Sequence, residues 1–145
     1  MKRKLFAFAL LLVAVAAPFM ASACSAMIVI DFGDPRTPGY WKNHAECWPI
    51  DSVTVGDVVL TKEEAIDYLA SNSKDATFKL ASQLIAAKFN AMSLFYGSYN
   101  PTTVWQAIGA ADNYLATNPL GSNPQGETRD EALALKDALQ VFNES

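Results

Sequence analysis

Residues 75–96 read DATFKLASQLIAAKFNAMSLFY. Phe78, Ala81, Leu84, Ile85, Phe89 and Met92 recur at helical spacing, while Lys79, Gln83 and Asn90 form a narrow polar stripe. A helix with so little polar face has to be covered on most sides, so this stretch predicts the central helix of a helical core.

Moving outward, Thr61-Lys62-Glu63-Glu64 has the spacing of a capping box, with Ala65, Ile66 and Leu69 behind it and Ser71-Asn72-Ser73 as a stop. On the other side Gly97 ends the central helix, and Asn100-Pro101 opens another with Val104, Ile108, Ala111 and Leu115 on one face, joined by Trp105. Asn118-Pro119 closes that helix and Gly121 to Gly126 reads as a polar loop. Thr128-Arg129-Asp130-Glu131 resembles a second capping box, opening a last helix with Ala132, Leu135, Leu139 and Phe142 inward. Upstream, Val53-Thr54-Val55 and Val58-Val59-Leu60 flank Gly56-Asp57 as a short β-hairpin. Pro38 to His44 reads as a short helix capped by Thr37. The expected fold is mainly α: a small antiparallel bundle of about four helices, with an N-terminal aromatic-rich segment and a short β-hairpin.

The start of the chain reads as an address. Lys2, Arg3 and Lys4 precede an apolar run from Leu5 to Phe19, and Ala21-Ser22-Ala23 has the A-x-A form of a cleavage site, which is the layout of a secretory signal peptide. The expected organisation is a signal peptide over 1–23, a strand or linker over 24–35 containing the β-prone run Met27 to Phe32, and a single exported helical domain over 36–145. After cleavage no further segment is long enough to span a membrane. The chain carries 11 basic and 15 acidic residues. Without Lys2, Arg3 and Lys4 the balance is eight against 15, a formal charge of −7. That acidity argues against nucleic acid and against anionic lipid, both of which require a basic face.

Cys24 and Cys47 are the two cysteines. In an oxidising compartment they are candidates for one disulfide. Cys24 also lies directly after Ala23, where a lipoprotein carries its acylated cysteine, so three fates stand side by side: disulfide, lipid anchor, or removal with the leader. The expected location is secreted or extracytoplasmic, either free or anchored at the surface through Cys24.

Chemistry is sparse. His44 is the only histidine, too few for a structural zinc site or a di-iron bundle, so no metal and no cofactor is expected. There is no G-x-S-x-G elbow and no glycine-rich phosphate loop. His44 with Cys47 or Glu46 is the one arrangement that could support a small hydrolase. The densest concentration of aromatic and polar groups is Tyr40, Trp41, Lys42, Asn43, His44 and Trp48. Such a set suits either a surface that binds a glycan or a surface protein, or a plug for one end of the bundle.

The octapeptide Thr37-Pro38-Gly39-Tyr40-Trp41-Lys42-Asn43-His44 resembles the T-x-G-[YF]-W-K-N-H signature of a family of uncharacterised exported domains of bacteria and archaea. Leu84 to Asn90, Ile108 to Leu115 and Leu135 to Asn143 are similar to later segments of that family. The resemblance implies export and a helical domain, and no reaction or ligand. Cys24 stands 13 positions before Thr37, farther than in the family pattern, and Cys47 stands where that pattern has a small residue, so no disulfide is carried over by resemblance. The functional expectation is a non-enzymatic binding or structural module of the cell surface or extracellular space, with the small hydrolase as the alternative.

Overall fold

A computed structural model describes residues 34–93 and 101–145. The expected leader, Cys24, the strand over Met27 to Phe32 and the helix stop at Gly97 lie outside the described residues. The described part is mainly helical. In chain order it comprises α1 (Pro38–Asn43), a 3-10 turn (Ala45–Cys47), β1 (Ser52–Val55), β2 (Val58–Thr61), α2 (Lys62–Ala70), α3 (Ala76–Ser93), α4 (Pro101–Thr117) and α5 (Gly126–Asn143).

Helix α3 takes the central place that its composition requires. Leu80, Ala81, Leu84, Ile85, Ala86, Ala87 and Phe89 are fully buried. α3, α4 and α5 each pack on the other two, and α1, α2 and β1 also lie against α3. The first turn of α3 is held by Asp75, whose Oδ1 accepts from the Thr77 amide at 2.8 Å and from the Thr77 hydroxyl at 2.8 Å. Its Oδ2 accepts from the Asn123 amide at 3.0 Å, and the Thr77 hydroxyl accepts from Gly121 N at 3.0 Å. The start of α3 and the loop between α4 and α5 are therefore one hydrogen-bonded unit.

Those ties explain where α5 begins. The expected capping box at Thr128 is not formed, because Thr128 already lies inside the helix, which starts at Gly126 with Gln125 before it and no side-chain cap. Asn123 (φ 49°) and Gly126 (φ 58°) turn the chain through the left-handed region, and Tyr114 donates its hydroxyl to the Thr128 carbonyl at 2.7 Å. Tertiary hydrogen bonds outweigh the local capping preference here. The capping box at Thr61 and Glu64, by contrast, is complete in both directions. Glu64 is held below the usual carboxylate range, chiefly by the Thr61 backbone amide and then by the Thr61 hydroxyl.

The hairpin pairs Ser52 with Thr61 and Val55 with Val58, turning Val53, Val55 and Leu60 into the core. Its two-residue loop needs a positive φ, which Gly56 supplies at 60°. A Cβ at Gly56 would sit 2.8 Å from Ala116 N and Leu115 C, so only glycine lets the turn seat against α4. The Gly56 amide donates to Asp112 Oδ1 at 2.9 Å. Lys88 then bridges Asp112 Oδ2 at 2.6 Å and the Thr54 carbonyl at 2.5 Å, joining hairpin, α3 and α4.

Two assignments of side chains to faces are corrected. Trp105, expected on the inward face of α4, is 42% exposed, since α4 buries Val104, Ile108, Ala111 and Leu115 and Trp105 lies next to that stripe rather than in it. Asn90, expected in the polar stripe of α3, is 1% exposed. Among the described residues no helix is long and apolar enough to cross a membrane.

Candidate functional site

The aromatic segment is built on α1. Thr37 is its N-cap, with Oγ1 accepting from the Tyr40 amide at 3.3 Å, and Pro38 occupies the first turn. The helix stops after six residues, where His44 adopts φ −126° and ψ 53° and its amide donates to the Tyr40 carbonyl at 3.0 Å. So short a helix has one inward and one outward face, and the sequence divides its aromatics between them.

The inward face carries Trp41, 4% exposed. Its indole N–H donates to Asn90 Oδ1 at 3.0 Å, and the same oxygen accepts from the Arg36 amide at 2.8 Å. Asn90 Nδ2 donates to the Arg36 carbonyl and to Asn143 Oδ1, both at 2.8 Å. Asn143 Nδ2 in turn donates to the Gln83 carbonyl at 3.0 Å and to Gln83 Oε1 at 2.8 Å. One amide thus gathers the chain entering at Arg36, helix α1, helix α3 and the end of α5. Trp48, also buried, donates its indole N–H to the Trp41 carbonyl at 2.7 Å, and both indoles pack on Phe89 with ring centroids at 5.3 and 4.6 Å. No buried side-chain nitrogen or oxygen among the described residues lacks a partner, as a stable buried network requires.

The outward face carries Tyr40 and His44, four residues apart. Their rings lie 4.4 Å apart at 33°, and the Arg36 guanidinium sits 5.1 Å from the Tyr40 centroid. His44 Nδ1 is 3.2 Å from Glu46 Oε1, with the two side chains 45% and 42% exposed. The Glu46 carboxyl is held below its ordinary range, first by a hydrogen bond from its own backbone amide and then by His44. Cys47 places Sγ with these two groups: the three ligand-type atoms of His44, Glu46 and Cys47 all lie within 4.8 Å of one another. Lys62 closes the edge of the segment, donating to the Ala45 carbonyl at 3.3 Å, pairing with Asp51 at 3.1 Å and lying 5.6 Å from the Trp48 ring centroid.

The six residues singled out from the sequence therefore do not form one surface. Trp41 and Trp48 belong to the core, and their burial withdraws them from any sugar- or peptide-stacking platform. Tyr40, Lys42 and His44 are half-buried and Asn43 is exposed. The hydrolase arrangement fares differently for its two versions. His44 and Glu46 are in contact, but on an open face where water is not controlled. Cys47 does not offer an uncommitted nucleophile, since there is no free cysteine among the described residues.

Pattern reading gives Asn90 and Asn143 no part in the site and sets Asn90 in the polar stripe of α3. The signal was present: each is an amide set among apolar neighbours, Asn90 between Phe89 and Ala91, and Asn143 directly after Phe142. Comparison of the chain with family models, with characterised proteins and with solved structures finds no match.

Proposed function

We propose that the chain is an exported, non-enzymatic module of structural or binding kind, in which the Thr37–His44 octapeptide acts first as a clasp. The observation that carries this reading is the Trp41–Asn90 pair. The most distinctive residue of the segment directs its one donor into a buried amide network rather than toward a ligand. What remains for recognition is the outer strip of Arg36, Tyr40, Lys42, Asn43 and His44, suited to a glycan or the polar surface of another protein. The resemblance of the octapeptide to a signature of exported domains supports the same reading, as does the leader-like composition of residues 1–23. The location is secreted or extracytoplasmic, and a disulfide between Cys24 and Cys47 belongs to this reading, supported by the oxidising destination and by the lack of a free cysteine among the described residues.

The test is expression of the full chain in a bacterial host, followed by intact-mass measurement of the exported product with and without reductant. The expected product is cut after Ala23, gains two hydrogens on reduction and carries no lipid; a cytoplasmic, uncut chain would end the reading. The same product is then applied to glycan and peptide arrays and to ester and peptide substrates. Binding that disappears in a folded Tyr40→Ala variant is the expected pattern. Turnover that disappears in His44→Ala would replace this proposal with the hydrolase.

A further inference from the structure

Helix α4 carries two features that the fold leaves unexplained. Trp105 holds a large indole 42% exposed on its surface, and Gly109 lies in the middle of the helix, one turn further on. A glycine in a helix interior is about 1 kcal/mol less favourable than an alanine. Gly56 is required by its turn, but a Cβ at Gly109 would meet nothing within 4 Å, and its φ lies outside the left-handed region. Neither packing nor backbone conformation among the described residues calls for it. A glycine at such an open position serves the close approach of something from outside the chain.

We propose that this face of α4 binds a neutral glycan, with Trp105 as the stacking platform, Gly109 as the floor, and Gln106 and Asn113 as the hydrogen-bonding ends. Only the exported location is taken from the proposed function, and the site is separate from the outer strip of α1. Gln106, Gly109 and Asn113 follow at i, i+3 and i+7 and share one face, which sets the two amides about 10 Å apart along the axis. Trp105, four residues before Gly109, stands beside that row. The Trp105 indole N–H and the Gln106 and Asn113 side-chain amides have no hydrogen-bond partner among the described residues. Each amide offers donors and an acceptor, which neighbouring sugar hydroxyls answer, and the C–H face of a pyranose ring covers an indole.

Charge and area select this occupant. No exposed residue of α4 is charged, and its one charged side chain, Asp112, is bound to Lys88 and to the Gly56 amide. α2 and α5, by contrast, expose Glu63 and Asp67, and Asp130 and Glu131. An anionic ligand finds no counter-charge on α4 and meets an acidic chain around it, whereas an uncharged ligand has no ion to desolvate. With 17 residues, α4 is about 25 Å long, and a face about 10 Å wide offers roughly 250 Å². A stable pair of copies needs about 800 Å² from each. One or two sugar rings need far less.

The experiment titrates the full exported chain with neutral hexasaccharides of glucose, mannose, galactose and N-acetylglucosamine, and with an oligogalacturonate as the acidic probe. Trp105 is the exposed one of the three tryptophans, so protection of indole emission from acrylamide reports occupancy of this face. At least one neutral probe is expected to protect, and the acidic probe is not. By calorimetry, Trp105→Ala weakens binding by about tenfold or more, and Tyr40→Ala leaves it unchanged. Gly109→Ala separates a ligand site from a structural role, since it should raise the melting temperature by about 3 °C while weakening binding by about tenfold. That variant also decides the matter should Trp105→Ala fail to fold. Absence of binding by every neutral probe up to about 10 mM would overturn the site. So would equal binding of the acidic probe, or undiminished binding in Gly109→Ala or in folded Trp105→Ala. A dilution-sensitive dimer that Trp105→Ala dissociates would give the face to a second copy and overturn the proposal as well.

Discussion

The two faces of α1 come from one octapeptide and obey opposite rules. On the inner face, Trp41 and its amide partners Asn90, Asn143 and Gln83 contain no titratable group, and their donors and acceptors are paired inside the protein. On the outer face, Tyr40 and His44 are half-buried and Glu46 is exposed, and their contacts are between groups that solvent also reaches. The contrast separates what holds the segment in place from what the segment can offer to a partner. Burial makes each inner hydrogen bond costly to break, because a lone donor or acceptor is left without water. Exposure makes each outer contact cheap to lose.

The largest expected effect tests the inner face. Asn90→Ala removes the acceptor for Arg36 N and Trp41 Nε1 and the donor to Arg36 O and Asn143 Oδ1. It should destabilise the chain by about 3 kcal/mol or more, read as a fall in the chemical denaturation midpoint at unchanged slope. A loss under 1 kcal/mol would mean that the network is not what closes the clasp. Trp41→Phe keeps the ring packing on Phe89 and deletes only the N–H donor, so the expected cost is smaller, about 1–2 kcal/mol. Asn90 Oδ1 then keeps Arg36 N alone, and the Trp41→Phe and Asn90→Ala effects should fall short of adding in a double-mutant cycle.

The smallest effect belongs to the outer face. His44→Ala should change stability by no more than about 0.5 kcal/mol by thermal melting, and a larger loss would mean that the outer face also holds the fold. Acid sharpens the same contrast. The Glu46 carboxyl is held low in the folded chain, so its contribution is present at neutral pH, above the ordinary carboxylate range, and is lost as the pH falls through its folded value. Glu46→Gln should therefore remove a small acid-dependent part of the melting temperature, and Asn90→Ala should lower the curve without changing its acid slope.

Much of this architecture is legible in the chain because it rests on local rules. Periodicity marks α3 as central, Thr61 and Glu64 write a capping box that forms, and Gly56 marks a two-residue hairpin loop. The start of α5 is not legible, since Asp75 and Tyr114 reach it from distant positions and override the box at Thr128. Trp105 misleads because its size suggests burial while its angle on α4 points it out. For the candidate site, the sequence locates the segment and names its residues, but it cannot sort them by face.

By itself, then, the sequence determined the helical class, the placement of α3 and the hairpin, and the concentration of unusual residues at 37–48. These follow from composition and from spacing within one element, where each residue sees its neighbours in the chain. Only the tertiary structure decided that Trp41 and Trp48 are core, that Asn90 is their anchor, and that His44, Glu46 and Cys47 meet on the outside. The first two outcomes depend on partners 49, 53 and 54 positions away, whereas the His44–Glu46 contact spans two positions. An amide in a polar stripe and an amide in a buried knot have the same local pattern, and the difference is set by what packs over it.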